Sequence, residues 1–272
     1  IRSSPDEATA GLDAMRKKGN RILAVRHGES AFNVLREQHP LEEERYLPYM
    51  YLPDCDITAT GVQQSREAGL KLEQDHGLNY GNFVLVVSPL RRAIQTALNI
   101  LQGSSNLQAD CNAHKGTTPP TLQAQTEATM MIHPAATEVM VDSCDIGTAA
   151  SELKAEYSNE NVDFSRLPHE YWWPHHRSPE ETWKLMSHKD PHQRVVETPE
   201  MSEARKKELC QFLRKLYANQ MQQNQPKTIV VVCHSELIWY LTSIVRNGER
   251  FGTWTQNCEI VDITDFVLQE NK

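Results

Sequence analysis

Short, β-branched apolar runs that each stop at a polar or cationic residue constrain this chain more than any other feature. Arg21-Ile22-Leu23-Ala24-Val25 runs directly into Arg26-His27-Gly28-Glu29-Ser30. Phe83-Val84-Leu85-Val86-Val87 leads into Ser88-Pro89 and a helical pattern from Leu90 to about Leu101. Thr228-Ile229-Val230-Val231-Val232-Cys233 precedes His234-Ser235 and an apolar helical stretch to about Val245. Thr137 to Val141 is a weaker run of the same kind, and Ile260 to Val267 is the last. Continuous Val/Ile/Leu strands alternating with helices predict a sheet buried on both faces, and therefore an α/β architecture.

The helices between the runs carry their own start signals. Thr58-x-x-Gly61 opens one reaching about Gln74. Thr198-Pro199-Glu200 opens a longer one through Asn219, with Thr198 as cap, Pro199 at the first helical position and Glu200 complementing the dipole. Two regions break the alternation. Gly103 to Ala136 is rich in Thr, Gln and Ala and reads as an insertion loop. Ser158 to Asp190 gathers aromatics, His and Pro around Tyr171-Trp172-Trp173-Pro174-His175-His176, and is expected to form a lid or cap, or a satellite core around the Trp pair. The expectation is a single domain over 1–272 with 103–136 and 158–190 as elaborations.

Charge and cysteine usage exclude several functions. The formal net charge is −8 over 272 residues, without a Lys/Arg block, which argues against nucleic acid or an anionic membrane as partner. No apolar run approaches the roughly 18–20 residues of a membrane span. The six cysteines (55, 111, 144, 210, 233 and 258) show no paired spacing and are expected as free thiols in a reducing compartment. Cytoplasmic localisation is the expectation, with an N-terminus that does not begin at Met and so leaves a removed targeting segment open. His169, His175, His176, His188 and His192 match no usual zinc-ligand spacing, and neither metal nor cofactor is expected.

Ligands of open α/β sheets bind outside the carboxyl ends of the strands. Arg26-His27, Ser88 through Arg92 and His234 would meet there, as a cationic pocket suited to a phosphoryl group, with Gly28 permitting close backbone approach to the ligand. Four blocks in order resemble the histidine phosphatase superfamily, the phosphoglycerate-mutase-like group. They are Leu23-Ala24-Val25-Arg26-His27-Gly28-Glu29-Ser30 with Asn33, Asp56-Ile57-Thr58-x-x-Gly61-x-x-Gln64, Ser88-Pro89-Leu90-Arg91-Arg92-Ala93-Ile94-Gln95-Thr96-Ala97, and Val232-Cys233-His234-Ser235.

That resemblance implies a three-layer fold: a six-stranded, mostly parallel sheet with helices on both faces. It implies that His27 is a nucleophile forming a phosphohistidine, that Arg26 and Arg92 clamp the phosphoryl oxygens, and that His234 donates to the same oxygens. Ser235 would cap the helix after His234, Ser30 and Asn33 would be secondary phosphate contacts, and Arg91 a solvated rim residue. The general acid lies among Glu138, Asp142 and Asp145, with Glu138 favoured by the Glu138-Val139-x-x-x-x-Cys144-Asp145-x-Gly147 pattern of a eukaryotic branch. The implied activity is phosphomonoester hydrolysis without a metal, on a small phosphorylated substrate or a phosphoprotein. A cofactor-dependent phosphoglycerate mutase is the second reading, disfavoured because its Leu-Asn-Glu-Arg-His-Tyr-Gly stretch is absent, and a phosphate-binding module without turnover is the third.

Overall fold

The computed structural model describes residues 20–78, 82–103, 130–224, 226–247 and 249–269. In chain order the elements are β1 (Ile22–Arg26), α1 (Ala31–Gln38), α2 (Ala59–His76), β2 (Phe83–Val87), α3 (Arg91–Gly103), β3 (Met130–Ile132), α4 (Ala150–Glu156) and β4 (Val162–Asp163). Then follow α5 (Pro179–Met186), α6 (Pro199–Met221), β5 (Thr228–Cys233), α7 (Ser235–Leu241), β6 (Ile244–Arg246), β7 (Glu249–Phe251), β8 (Ile260–Asp262) and α8 (Thr264–Leu268). Six strands form one sheet in the order β4-β3-β2-β5-β1-β8, and only β8 runs antiparallel, against β1. β6 and β7 make a separate two-stranded ribbon.

Alternation along the central strands fills two cores. Leu23, Val25, Leu85, Val87, Val230 and Val232 face a cluster completed by Ala68 and Leu72 of α2 and by Ala93, Ile94, Ala97 and Ile100 of α3. Ile22, Ala24, Val86, Ile229, Val231 and Cys233 face the other, against Leu209, Leu213 and Tyr217 of α6 and Leu237, Ile238 and Leu241 of α7. Both faces are thus covered, as an almost wholly parallel sheet requires. No described helix is long and apolar enough to cross a membrane. Cys55, Cys144, Cys233 and Cys258 are buried and free, and Cys210 is partly buried and free, whereas Cys111 falls outside the described residues.

The sequence expectations need correction at several elements. Thr137–Val141 is not a strand. The third strand is Met130–Ile132, pairing Leu85–Val87, and the chain leaves it through a single 3-10 turn at Pro134–Ala136. The supposed insertion 103–136 therefore narrows: Gly103 ends α3, residues from 130 onward belong to the sheet and its exit, and 104–129 lie outside the described residues. The helix after His234 stops at Leu241, and Ile244–Arg246 pairs with Glu249–Phe251 instead. Ile260–Val267 divides into a strand and a short helix. Trp172 and Trp173 pack in the main core, not in a satellite one, their indole N–H groups donating to the Thr148 carbonyl and the Thr182 hydroxyl.

Candidate active site

Parallel pairing of β1, β5 and β2 brings three strand exits side by side. The His27 N–H donates to the Cys233 carbonyl (2.9 Å) and the Ser88 N–H to the Val232 carbonyl (3.0 Å), so His27, His234 and Ser88 leave the sheet at one level. The rings of His27 and His234 lie 5.1 Å apart. Arg26 and Arg92 act electrostatically on both rings. The structure thus assembles Arg26, His27, Arg92 and His234 at one sheet edge.

The histidines are set differently. His27 Nδ1 lies 2.7 Å from the Gly28 carbonyl oxygen, which only accepts, so Nδ1 carries the proton and Nε2 keeps its lone pair. Burial, then the charges of Arg92 and Arg26, hold this imidazole well below its usual pKa. His234 Nε2 meets the Ser88 hydroxyl at 2.8 Å, and that hydroxyl already accepts the Leu90 N–H. We assign the hydroxyl as donor to Nε2, which makes Nδ1 the N–H of His234. That Nδ1 and Arg26 Nε are buried with no hydrogen-bond partner. Two buried donors without partners, at the sheet edge where His27 Nε2 keeps its lone pair, are what a tetrahedral anion satisfies.

Each arginine is held by groups outside the reacting set. Arg26 Nη1 donates to the Thr255 carbonyl at 2.6 Å. Arg92, 2% exposed, donates to the Cys144 carbonyl (2.5 Å) and pairs with Asp145 at 2.9 Å. The start of its helix is fixed by buried Asp54, whose Oδ1 accepts the Arg91 N–H at 2.7 Å. The Arg91 side chain is not simply solvated but pairs with Glu156 at 2.7 Å.

The three acid candidates separate by what they touch. Asp145 is committed to Arg92 and to the N–H groups of Val141 and Asp142. Asp142 pairs with Arg45 at 2.9 Å, and burial, then Asp145, push its carboxyl up to about 6. Glu138 accepts from the Glu236 N–H (3.2 Å) and the Ser235 hydroxyl (3.4 Å), at the start of the helix that follows His234. Burial, then Asp145 and Glu236, push it up to about 7, and its charge is felt by Arg26 and Arg92. Ser235 therefore serves Glu138, and the N-cap position belongs to His234.

Ser30 and Asn33 form a reciprocal cap on α1. The Ser30 N–H donates to Asn33 Oδ1 (3.0 Å) and the Asn33 N–H to Ser30 Oγ (3.2 Å). This leaves the Asn33 amide nitrogen to donate elsewhere. Asn257, which carries no local signal in the sequence, donates to the His27 carbonyl at 3.0 Å. The close approach at Gly28 is to the protein itself: a Cβ there would lie 2.5 Å from the Gly61 carbonyl oxygen. Gly28→Ala is accordingly expected to cost about 1–3 kcal/mol in a urea titration, as overpacking does. Among the described residues, no group of three His, Cys, Asp or Glu converges as a metal-holding cluster.

Comparison with known proteins bears on the family match and the fold. Residues 22–113 match the family model of the histidine phosphatase superfamily (branch 1). The ecdysone phosphate phosphatase of Bombix mori, determined with tungstate, is similar at TM-score 0.50 and 15% identity, over 89% of this chain and 87% of that one. The phosphoglycerate mutase of Bacillus anthracis gives TM-score 0.45 and 14% identity, over 92% and 97%. Over residues 22–113, the stretch that supplies Arg26, His27 and Arg92, the chain is a match to the histidine phosphatase superfamily, branch 1, and its α/β fold is shared with the ecdysone phosphate phosphatase.

Proposed function

We propose that the protein hydrolyses phosphomonoesters through a phosphohistidine at His27, without a metal. The observation that carries this reading is the 2.7 Å contact between His27 Nδ1 and the Gly28 carbonyl: it assigns the proton to Nδ1 and so leaves Nε2 a lone pair for attack, with His234 Nδ1 and Arg26 Nε unpartnered at the same edge. Nε2 attacks phosphorus, and Arg26, Arg92 and His234 hold the equatorial oxygens as charge spreads onto them. Glu138 gives its proton to the leaving oxygen as the ester bond breaks. It then takes a proton from water, whose oxygen displaces phosphate from Nε2 and returns the lone pair to the ring. Asn33 offers its amide nitrogen as a secondary contact, with Ser30 fixing that side chain. The substrate is a small phosphorylated compound or a phosphoprotein, met in the cytoplasm.

Inorganic phosphate release from a panel of phosphomonoesters, including 3-phosphoglycerate and a phosphopeptide, tests the reading when run with EDTA and with His27→Ala alongside. Release that survives EDTA and vanishes in the variant supports it. Transfer of the phosphate between positions of 3-phosphoglycerate without release would make the protein a mutase, and saturable binding without turnover would make it a binding module.

Glu138 allows a test in which activity and stability move in opposite directions. Its carboxyl is raised to about 7, so its protonated form favours the folded state; that contribution is present below about pH 4.5 and is lost as pH rises through 7. Glu138→Gln is therefore expected to stabilise the fold at pH 8 by about 1–3 kcal/mol, with the difference closing below pH 5. The same variant should lose about 10²–10⁴-fold in turnover of an alkyl phosphate. Thermal melts at pH 5 and 8 beside rate measurements check both.

A further inference from the structure

Arg205, on α6, uses its whole guanidinium on one short stretch of chain. Its Nε and Nη2 grip Glu197 at 2.8 and 2.9 Å. Nη1 donates to the carbonyls of Ala135 (3.2 Å) and Thr137 (2.7 Å), and Nη2 also to the carbonyl of Glu138 (3.1 Å). Glu197, 4% exposed, takes the Met140 N–H on Oε2 at 3.0 Å and gives its own N–H to the Met140 carbonyl at 3.1 Å. Residues 137–140 lie in neither helix nor strand, so no ladder satisfies their backbone groups. Arg205 takes the Thr137 and Glu138 carbonyls and Glu197 both backbone groups of Met140, on the two sides of Glu138, while the Thr137 N–H goes to the Pro134 carbonyl and the Val139 N–H to Glu138 Oε1.

We infer that Arg205 and Glu197 are positioning residues: together they clamp residues 135–140 so that the Glu138 carboxyl stands where the leaving oxygen departs. This rests on the reading of Glu138 as the general acid. A proton donor must come within hydrogen-bond reach of its acceptor, and a displacement of about 1 Å costs about 10²-fold in rate. In the phosphorylation step that cost falls only on leaving groups that need the proton; the later attack of water, which Glu138 also assists, is common to all esters. An alkoxide needs it, whereas p-nitrophenolate departs without it.

The experiment compares kcat/KM, which reports only the steps up to departure of the leaving group, for an alkyl phosphomonoester and for p-nitrophenyl phosphate in wild type, Arg205→Lys and the double variant Arg205→Met/Glu197→Gln. Lysine keeps a charge opposite Glu197 but cannot span five acceptors with one nitrogen. The double variant removes both charges together, so neither is left buried alone, and it is read in the same way if the lysine variant does not fold. The expected result is a loss of about 10–100-fold on the alkyl ester with less than about 3-fold on p-nitrophenyl phosphate. The alkaline limb of the alkyl-ester profile should also move to lower pH, as the freed carboxyl becomes hydrated. Equal losses on both esters with an unmoved limb would overturn the clamp and leave Arg205 as a fold-stabilising residue. No release from either ester by wild type would overturn the functional reading and the clamp together; turnover by wild type with a flat leaving-group response overturns the clamp alone.

Discussion

His27→Ala should lower phosphate release by about 10⁴-fold or more, because the variant has no other nitrogen placed for the attack. His234 cannot substitute: its Nε2 is occupied by Ser88 and its Nδ1 is the proton-bearing side. Asparagine at the same position offers a sharper control. Its amide can donate to the Gly28 carbonyl much as Nδ1 does, so the loop should keep its bond while the lone pair of Nε2 is lost. His27→Asn is therefore expected to be as inactive as His27→Ala, and to unfold closer to wild type by the about 1–3 kcal/mol that an unsatisfied buried acceptor costs. Rapid quench with a labelled ester should trap an acid-labile, alkali-stable phosphoryl group on wild type and none on either variant. Residual release within tenfold of wild type would remove His27 from the mechanism.

Arg92→Met should have the largest effect on stability, and it should abolish activity as well. Arg92 and Asp145 are both buried, 2.9 Å apart, and the arginine also holds the Cys144 carbonyl. Removing one partner strands the other charge in the interior, at a cost of about 3–5 kcal/mol. Arg92→Met/Asp145→Asn, which removes both charges and keeps an acceptor oxygen for the Val141 and Asp142 N–H groups, should recover most of that stability while remaining inactive, since the oxygen clamp is gone. The comparison separates what Arg92 does for the fold from what it does for the phosphoryl group. A double variant no more stable than the single one in urea would place the cost elsewhere, in lost packing around the guanidinium.

The strand exits were legible because their signal is local. A Val/Ile run that stops at Arg26-His27 or at His234 announces both the buried strand and the polar edge. The parallel order of β2, β5 and β1 then brings those edges together without further information from side chains. Thr137–Val141 misled for a related reason. Val139 and Val141 are β-branched, but β2 already pairs with Met130–Ile132, and the later residues are consumed in turns around Arg205. The resemblance favoured Glu138 over Asp142 and Asp145, but what each carboxylate touches depends on distant partners and was not legible. Arg92 claims Asp145 and Arg45 claims Asp142, from 53 and 97 residues away along the chain. Asn257, Thr255 and Arg205 escaped notice for the same reason: Asn257 and Arg205 donate to backbone carbonyls far off in sequence, and Thr255 accepts the distant Arg26 side chain on its own carbonyl.

β8 and the loop before it have a consequence for how the protein is made. The Asn257 amide reaches the His27 carbonyl across 230 residues, the Thr255 carbonyl receives Arg26, and the Cys258 N–H closes onto the Arg26 carbonyl. β1 is also an open edge on one side until Ile260–Asp262 pairs with it. A ribosome that has emitted His27, Arg92 and even His234 has thus not yet delivered the residues that hold Arg26 in place. Phosphate affinity should arise abruptly, only once residue 262 is free of the exit tunnel, so a chain truncated before that residue would carry His27, Arg92 and His234 and lack a finished pocket.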